Sequence, residues 1–254
     1  MATSDRETAA ARSEDCASVR PVIVLLIPQM RHGGAERAAS RIYRLLQRWY
    51  DVRVVVFDDL NGGYGMRGNV TSLGVPPVQE ASFVGRVVRS VRRARRYWKF
   101  KRANRVSLTY SFGDTANIVS VLSQGGDVKV TSLRGFARLR AGKPGLLARL
   151  ARGAVTAISR LSDQVVVVSE EMREVLVGSF RVPAGKVQAM PIGYALDQIR
   201  LDSREVLAGD DRVDGDYILS VGTLREVKRF DHLIRSFAAS DSSAKARLII
   251  AGDD

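Results

Sequence analysis

Residues 22–37 read VIVLLIPQMRHGGAER. An apolar run, rich in β-branched residues, extends unbroken to Pro28. A Gly33–Gly34 pair then opens a segment with apolar residues at Ala38, Ile42, Leu45 and Leu46. An uninterrupted apolar run indicates a strand buried on both faces, hence a parallel sheet covered by helices. The three-to-four spacing that follows is that of an amphipathic helix. Strand, glycine turn and helix in direct succession predict one layer of an α/β fold. The turn also has a chemical meaning. Glycines let the backbone approach a ligand, and a helix N-terminus offers unpaired N–H groups and positive partial charge, which suits a phosphate. A tight strand-to-helix turn with no ligand is the plainer alternative. The turn does not read G-x-G-x-x-G, and no G-x-x-x-x-G-K-[ST] occurs in the chain, so this turn carries neither the dinucleotide nor the P-loop fingerprint.

The alternation continues outward from this stretch. Further strands are expected at Val52–Phe57, Val106–Tyr110, Val128–Thr131, Gln164–Val168 and Val187–Met190, after the first at Val22–Ile27. Helices are expected at Gly34–Trp49, Phe83–Asn104, Thr115–Ser123, Gly145–Ser159 and Glu170–Gly178. The fold class is therefore α/β, a Rossmann-like parallel sheet flanked by helices. Residues 201–216 are polar and acid-rich and read as a linker. A new strand–helix–strand unit follows: Tyr217–Val221, Arg229–Ala238 and Arg247–Ala251. Residues 217–254 alone cannot bury both faces of a sheet, so this second Rossmann-like domain is expected to be incomplete.

Composition bounds what such a chain can do. Of 254 residues, 45% are apolar and 26% charged, an ordinary globular balance. No apolar run reaches the roughly 18 residues of a spanning helix. Residues 1–20 lack the apolar middle of a signal peptide and read as a disordered cytosolic tail. One cysteine, Cys16, excludes a disulfide scaffold, and two histidines, His32 and His232, leave too few ligands for a metal centre. The net charge of +13 is concentrated: residues 81–160 hold 18 Lys and Arg against Asp114 and Asp127. A block of that sign implies an anionic partner.

The second candidate site is the loop after the strand Tyr217–Val221. It reads Gly222–Thr223–Leu224–Arg225–Glu226–Val227–Lys228–Arg229 and precedes a helix, and the unit ends in Ile249–Ile250–Ala251–Gly252–Asp253. Ligands of open α/β sheets sit outside the carboxyl ends of strands, and cations there can neutralise a diphosphate.

Taken together, GGAER after the first strand, the V-G-x-L-x-x-x-K-x-x-D-x-L-I-x-x-F run at residues 221–237 and the I-A-G-D strand end resemble glycosyltransferase family 4. The resemblance covers roughly residues 21–254, with LTYSFGDTAN (108–117) and VVVVS (165–169) at matching intervals. It implies the GT-B architecture of two facing Rossmann-like domains, the first binding the acceptor (residues 21–200) and the second the nucleotide-sugar donor (beginning at 217). It further implies retaining transfer of a sugar from a nucleotide-diphosphate donor to a polysaccharide or lipid-linked acceptor, with no separate cofactor and no metal. By resemblance, Gly33 and Gly34 approach the donor phosphates, Lys228 contacts the diphosphate, and Arg225 stands in for an arginine that the family places at Thr223. Arg134 occupies an acceptor-side position where many members carry histidine. The family's two donor-binding glutamates, with seven residues between them, have no counterpart here. The sequence is therefore expected to be a piece of a longer enzyme, inactive alone, and no catalytic residue is assigned. A non-catalytic acceptor- or membrane-binding module, or a partner subunit of a catalytic transferase, is the alternative.

The segment Phe83–Arg105 carries ten Lys and Arg and no acid. Val84, Val87, Val88, Val91 and Trp98 share one face, expected to pack on the sheet. Arg92, Arg93, Arg95 and Arg96 are then expected in solvent, facing an anionic membrane at about 1 kcal/mol each. A solvated helix face competes with that reading. No RNP, helix-turn-helix or zinc pattern supports nucleic acid as a partner. The expected location is cytoplasmic and peripheral, at the inner face of the cell membrane.

Overall fold

A computed structural model describes residues 20–30, 34–58, 70–76, 82–135, 146–205 and 213–252. The tail expected at residues 1–20, except Arg20, lies outside the described residues, as do His32 and Gly33. The chain divides into two compact units between Gly193 and Tyr194.

The first unit is a seven-stranded parallel sheet in the order β3-β2-β1-β4-β5-β6-β7. Its strands are β1 (Val22–Leu26), β2 (Asp51–Val56), β3 (Val70–Ser72), β4 (Val106–Phe112), β5 (Val128–Leu133), β6 (Gln164–Val167) and β7 (Val187–Ala189). Its helices are α1 (Gly34–Leu46), α2 (Phe83–Asn104), α3 (Asp114–Leu122), α4 (Leu146–Leu161) and α5 (Glu170–Ser179). All five residues of β1 are buried, as its unbroken apolar run requires. Alternate side chains go to opposite faces. Ile23, Leu25 and Ile27 join Val54, Val56, Ala39 and Tyr43 under α1. Val24 and Leu26 join Val55, Phe57, Tyr97, Ala116 and Val119 under α2 and α3. Local chemistry sets the helix ends: the Ser82 and Ser169 hydroxyls accept from the Gly85 and Met172 amides, capping α2 and α5. The three-residue strand β3 was not anticipated, being too short to carry a periodicity.

Helix α2 corrects the sequence reading. It spans the expected residues but is turned the other way. Val84, Val87, Val88, Val91 and Trp98 are exposed, whereas Arg93, Ala94, Tyr97 and Lys101 are buried against the sheet. Arg93 is 7% exposed; it donates twice to the Val75 carbonyl, at 3.1 and 2.9 Å, and lies 4.2 Å from the Phe57 ring centroid. Arg96 donates to the Leu73 and Gly74 carbonyls, both at 2.6 Å. Of the four arginines expected on a membrane face, Arg93 is thus buried, Arg96 is exposed but tied to two backbone carbonyls, and Arg92 and Arg95 are exposed. The physical reason is a polar network. Tyr97 Oη and Thr109 Oγ1 are 2.6 Å apart, Thr109 donates to Asp127 Oδ2 at 2.6 Å, and Lys101 Nζ reaches Asp127 Oδ1 at 2.6 Å. A charge this deep is tolerated only when paired and hydrogen-bonded, and the pairing is possible in one rotation of the helix only.

The second unit contains α6 (Leu196–Asp202), β8 (Tyr217–Val221), α7 (Phe230–Ala238) and β9 (Arg247–Ala251). β8 and β9 pair in parallel with Tyr217 opposite Arg247. The short helix α6 covers Leu201 and Asp202, the first two residues of the expected linker.

Candidate functional site

The strand order changes direction between β1 and β4, and in open α/β sheets the carboxyl ends of the strands at such a switch point are where a ligand crevice lies. Loops leave it on both sides. From β1 the chain passes Pro28 and buried Met30 and re-emerges as Gly34, the first residue of α1. From β4 it passes Gly113, whose φ of +87° favours glycine, into α3. The space a Gly113 Cβ would occupy is 4.0 Å from Pro28 Cγ, so the two turns lie side by side.

From β5 comes Arg134, half-buried at the strand end. Its Nε donates to Ser132 Oγ at 3.2 Å, its Nη1 stands 3.5 Å from the Gly34 carbonyl, and its guanidinium lies 5.4 Å from the Phe112 ring centroid. Arg134 therefore bridges the end of β5 and the first residue of α1. Burial pushes its pKa below the ordinary arginine value, against the opposing pull of Tyr110 and Glu36. Burial also raises the Glu36 carboxyl, against a backbone hydrogen bond and Arg134. Tyr110 is raised for the same first reason and packs its ring on Phe112 at 4.5 Å. A support lies beneath: buried Asn117 donates to the Ser132 carbonyl at 3.0 Å and accepts from Ser111 Oγ at 2.7 Å, tying α3 to β4 and β5.

A half-desolvated guanidinium beside the opening of a helix can take an oxyanion by charge-assisted hydrogen bonds. Gly34 is exposed, with open space where a side chain would go. Arg134 and Gly34 are thus brought together, a juxtaposition their separation of 100 positions could not reveal. Glu36, Tyr110 and Ser132 were not singled out from sequence. Tyr110 and Ser132 lie near the ends of strands that become neighbours, and Glu36 lies in the first turn of α1, within GGAER.

In the second unit the Gly222 amide donates to the Ala251 carbonyl at 3.0 Å. A Cβ on Gly252 would lie 1.8 Å from the Gly222 carbonyl oxygen, so the glycine of the I-A-G-D strand end is demanded by close backbone approach. Past Gly222 the chain makes a 3-10 turn over Glu226–Lys228. Arg229 sits in the left-handed region at φ 53° and pairs with Asp231 at 3.1 Å. Arg225 and Lys228 are both exposed on this loop, and the Lys228 stem packs beside Gly222. Among the described residues no three His, Cys, Asp or Glu side chains gather as a metal site, and no helix is long and apolar enough to cross a membrane.

Residues 32–198 match the family described as Glycosyltransferase Family 4. No curated protein matches the sequence. Among solved structures, sucrose-phosphate synthase from Thermosynechococcus elongatus aligns with a TM-score of 0.64 at 13% identity, covering 92% of this chain and 71% of that one. HepE from Anabaena, in complex with UDP-glucose, aligns with a TM-score of 0.64 at 15% identity, covering 91% and 60%. UDP-N-acetylglucosamine 2-epimerase from Rickettsia bellii aligns with a TM-score of 0.59 at 10% identity, covering 92% and 69%. At these identities the likeness is one of fold. The chain spans less than two thirds of the HepE chain.

Proposed function

The chain belongs to glycosyltransferase family 4, and on that premise we propose that it is the acceptor-binding half, with the start of the donor-binding half, of a retaining GT-B glycosyltransferase. The fold alone does not choose the reaction, since a nucleotide-sugar epimerase shares it; the family match does. The observation that carries the site is the bridge from Arg134 to Gly34 at the crevice between strand ends. In this reading Gly33 and Gly34 face the donor phosphates, and Arg134 holds the acceptor side. On the second unit, Arg225 and Lys228 neutralise the diphosphate as it leaves; fixed cations aimed at developing charge lower the barrier.

The donor is a nucleotide-diphosphate sugar, a class supported by HepE, whose structure contains UDP-glucose. The acceptor is a polysaccharide or a lipid-linked saccharide. Exposed Arg92 and Arg95 on α2 support a peripheral place on an anionic membrane, at its cytoplasmic face, and nucleic acid is no part of the reading.

The test is sugar transfer from UDP-, GDP- and ADP-sugars to lipid-linked and free saccharides, by this chain and by this chain fused to a complete donor domain of the family. The fusion is expected to transfer, and the 254-residue chain by itself to show little or none. In the active form, Lys228→Ala and Arg225→Ala should each lower donor use roughly tenfold to a hundredfold, as lost charge-assisted hydrogen bonds do. Unchanged kinetics in both variants would reject the diphosphate assignment.

A further inference from the structure

The outward rotation of α2 leaves an apolar stripe in water. Val84 and Val88 are 67% and 61% exposed, and Val87, Val91 and Trp98 also face out. These positions are spaced by three, four and, from Val91 to Trp98, seven residues, so they lie on one face. Leu122, from the end of α3, adds to it: a shallow depression between the helices is lined by Val91, Ala94, Arg95, Trp98, Leu122 and Gln124. Cations flank the stripe toward its C-terminal half. Arg92, Arg95, Lys99 and Arg102 are exposed, and the Arg102 guanidinium lies 4.9 Å from the Trp98 ring centroid. The helix contains no acid.

We infer that α2 lies in the plane of an anionic bilayer, with its valine stripe inserted among the acyl chains and its cations at the headgroups. This rests on the membrane reading above and changes its physics, from adsorption by charge alone to interfacial insertion. An aliphatic face rimmed by Arg, Lys and Trp is the makeup of an interfacial helix, because the apolar area leaves water while the long basic chains reach phosphate. A duplex backbone would satisfy the cations but leave the valines wet. A second copy of the chain would cover the valines but set Arg92, Arg95 and Lys99 against their own like charges. The buried Lys101–Asp127 pair makes the arrangement durable, since turning the valines inward would break it.

The experiment uses the 254-residue chain with a Trp49→Phe background, so that Trp98 reports alone. Vesicles of phosphatidylglycerol and phosphatidylcholine, plain or with brominated acyl chains, are titrated by co-sedimentation and fluorescence. Trp98 emission should shift to the blue and be quenched by the brominated chains. Part of the binding should survive in about 1 M salt, where the Debye length is roughly 3 Å and charge attraction is screened. Val84→Ser, Val88→Ser and Val91→Ser together should weaken vesicle binding roughly tenfold to a hundredfold, the scale of burying part of three valine side chains. Equal binding by that variant, with no quenching in the parent, would overturn insertion while leaving charge-driven docking intact. No binding to anionic vesicles at all would overturn both. Concentration-dependent self-association that the serine variant abolishes would assign the face to a second copy. Tighter binding to duplex DNA than to vesicles would assign it to nucleic acid. The quenching test needs no valine replacement, so the inference is decided even if the serine variant misfolds.

Discussion

Lys101 and Asp127 meet at 2.6 Å with side chains only 4% and 1% exposed. Burial pulls the Lys101 ammonium below its ordinary pKa, and Asp127 works against that pull. Removing the lysine would leave the buried carboxylate with only the Thr109 hydroxyl at 2.6 Å and the more distant Lys129 ammonium at 3.8 Å. Lys101→Met should therefore cost about 3–5 kcal/mol in denaturant unfolding. Lys99→Met, two residues along and exposed, should stay within about 0.5 kcal/mol; equal losses would mean the pair has no special part. Glu36 makes the opposite kind of test. Burial raises its carboxyl pKa, so folding favours the protonated form. That contribution is fully present below the ordinary carboxylate value and is lost as pH rises through the raised one. Thermal melts from about pH 4 to about pH 7 should then show Glu36→Gln gaining on the parent as pH increases. A constant difference would show that Glu36 does not titrate in this range with a shifted pKa.

At the scale of elements, α2 shows how periodicity can be right and rotation wrong. Its length, cap and helical spacing are all local. Its rotation depends on what lies opposite: the Thr109 hydroxyl, the Asp127 carboxylate and the Val75 carbonyl. Two faces were available, one of valines and one of Arg93, Ala94, Tyr97 and Lys101, and hydrophobicity alone selects the first. The second wins because Tyr97 brings a large fully buried ring together with a hydroxyl that has a partner. Tyr97→Ala is expected to lose about 3–5 kcal/mol, as large buried aromatics do. Val88→Ser should change stability by no more than about 0.5 kcal/mol. A reversed pair of values in chemical denaturation would restore the orientation expected from sequence.

For the whole molecule, the two units differ in how well they are built. The seven-stranded sheet has apolar clusters on both faces. The β8–β9 pair leaves Ile218, Leu219 and Val221 exposed, and a two-stranded sheet is marginal by itself. Amide hydrogen exchange should accordingly be far slower at Val24–Leu26 than at Ile218–Leu219; equal protection would mean the second unit is as stable as the first. What the sequence determined by itself is the part that short-range chemistry controls. The buried run VIVLLI dictated a parallel strand, the Gly33–Gly34 turn and the helical spacing dictated a strand–helix unit, and the motifs at both glycine turns pointed to the family. What only the tertiary structure decided depends on distant partners: the rotation of α2, the burial of Arg93, the tethering of Arg96 to backbone carbonyls, and the meeting of Arg134 with Gly34 across 100 positions. The physical reason is that periodicity records which residues share a face. A buried charge can be placed only by the partner that neutralises it, and for Lys101 that partner is 26 residues away.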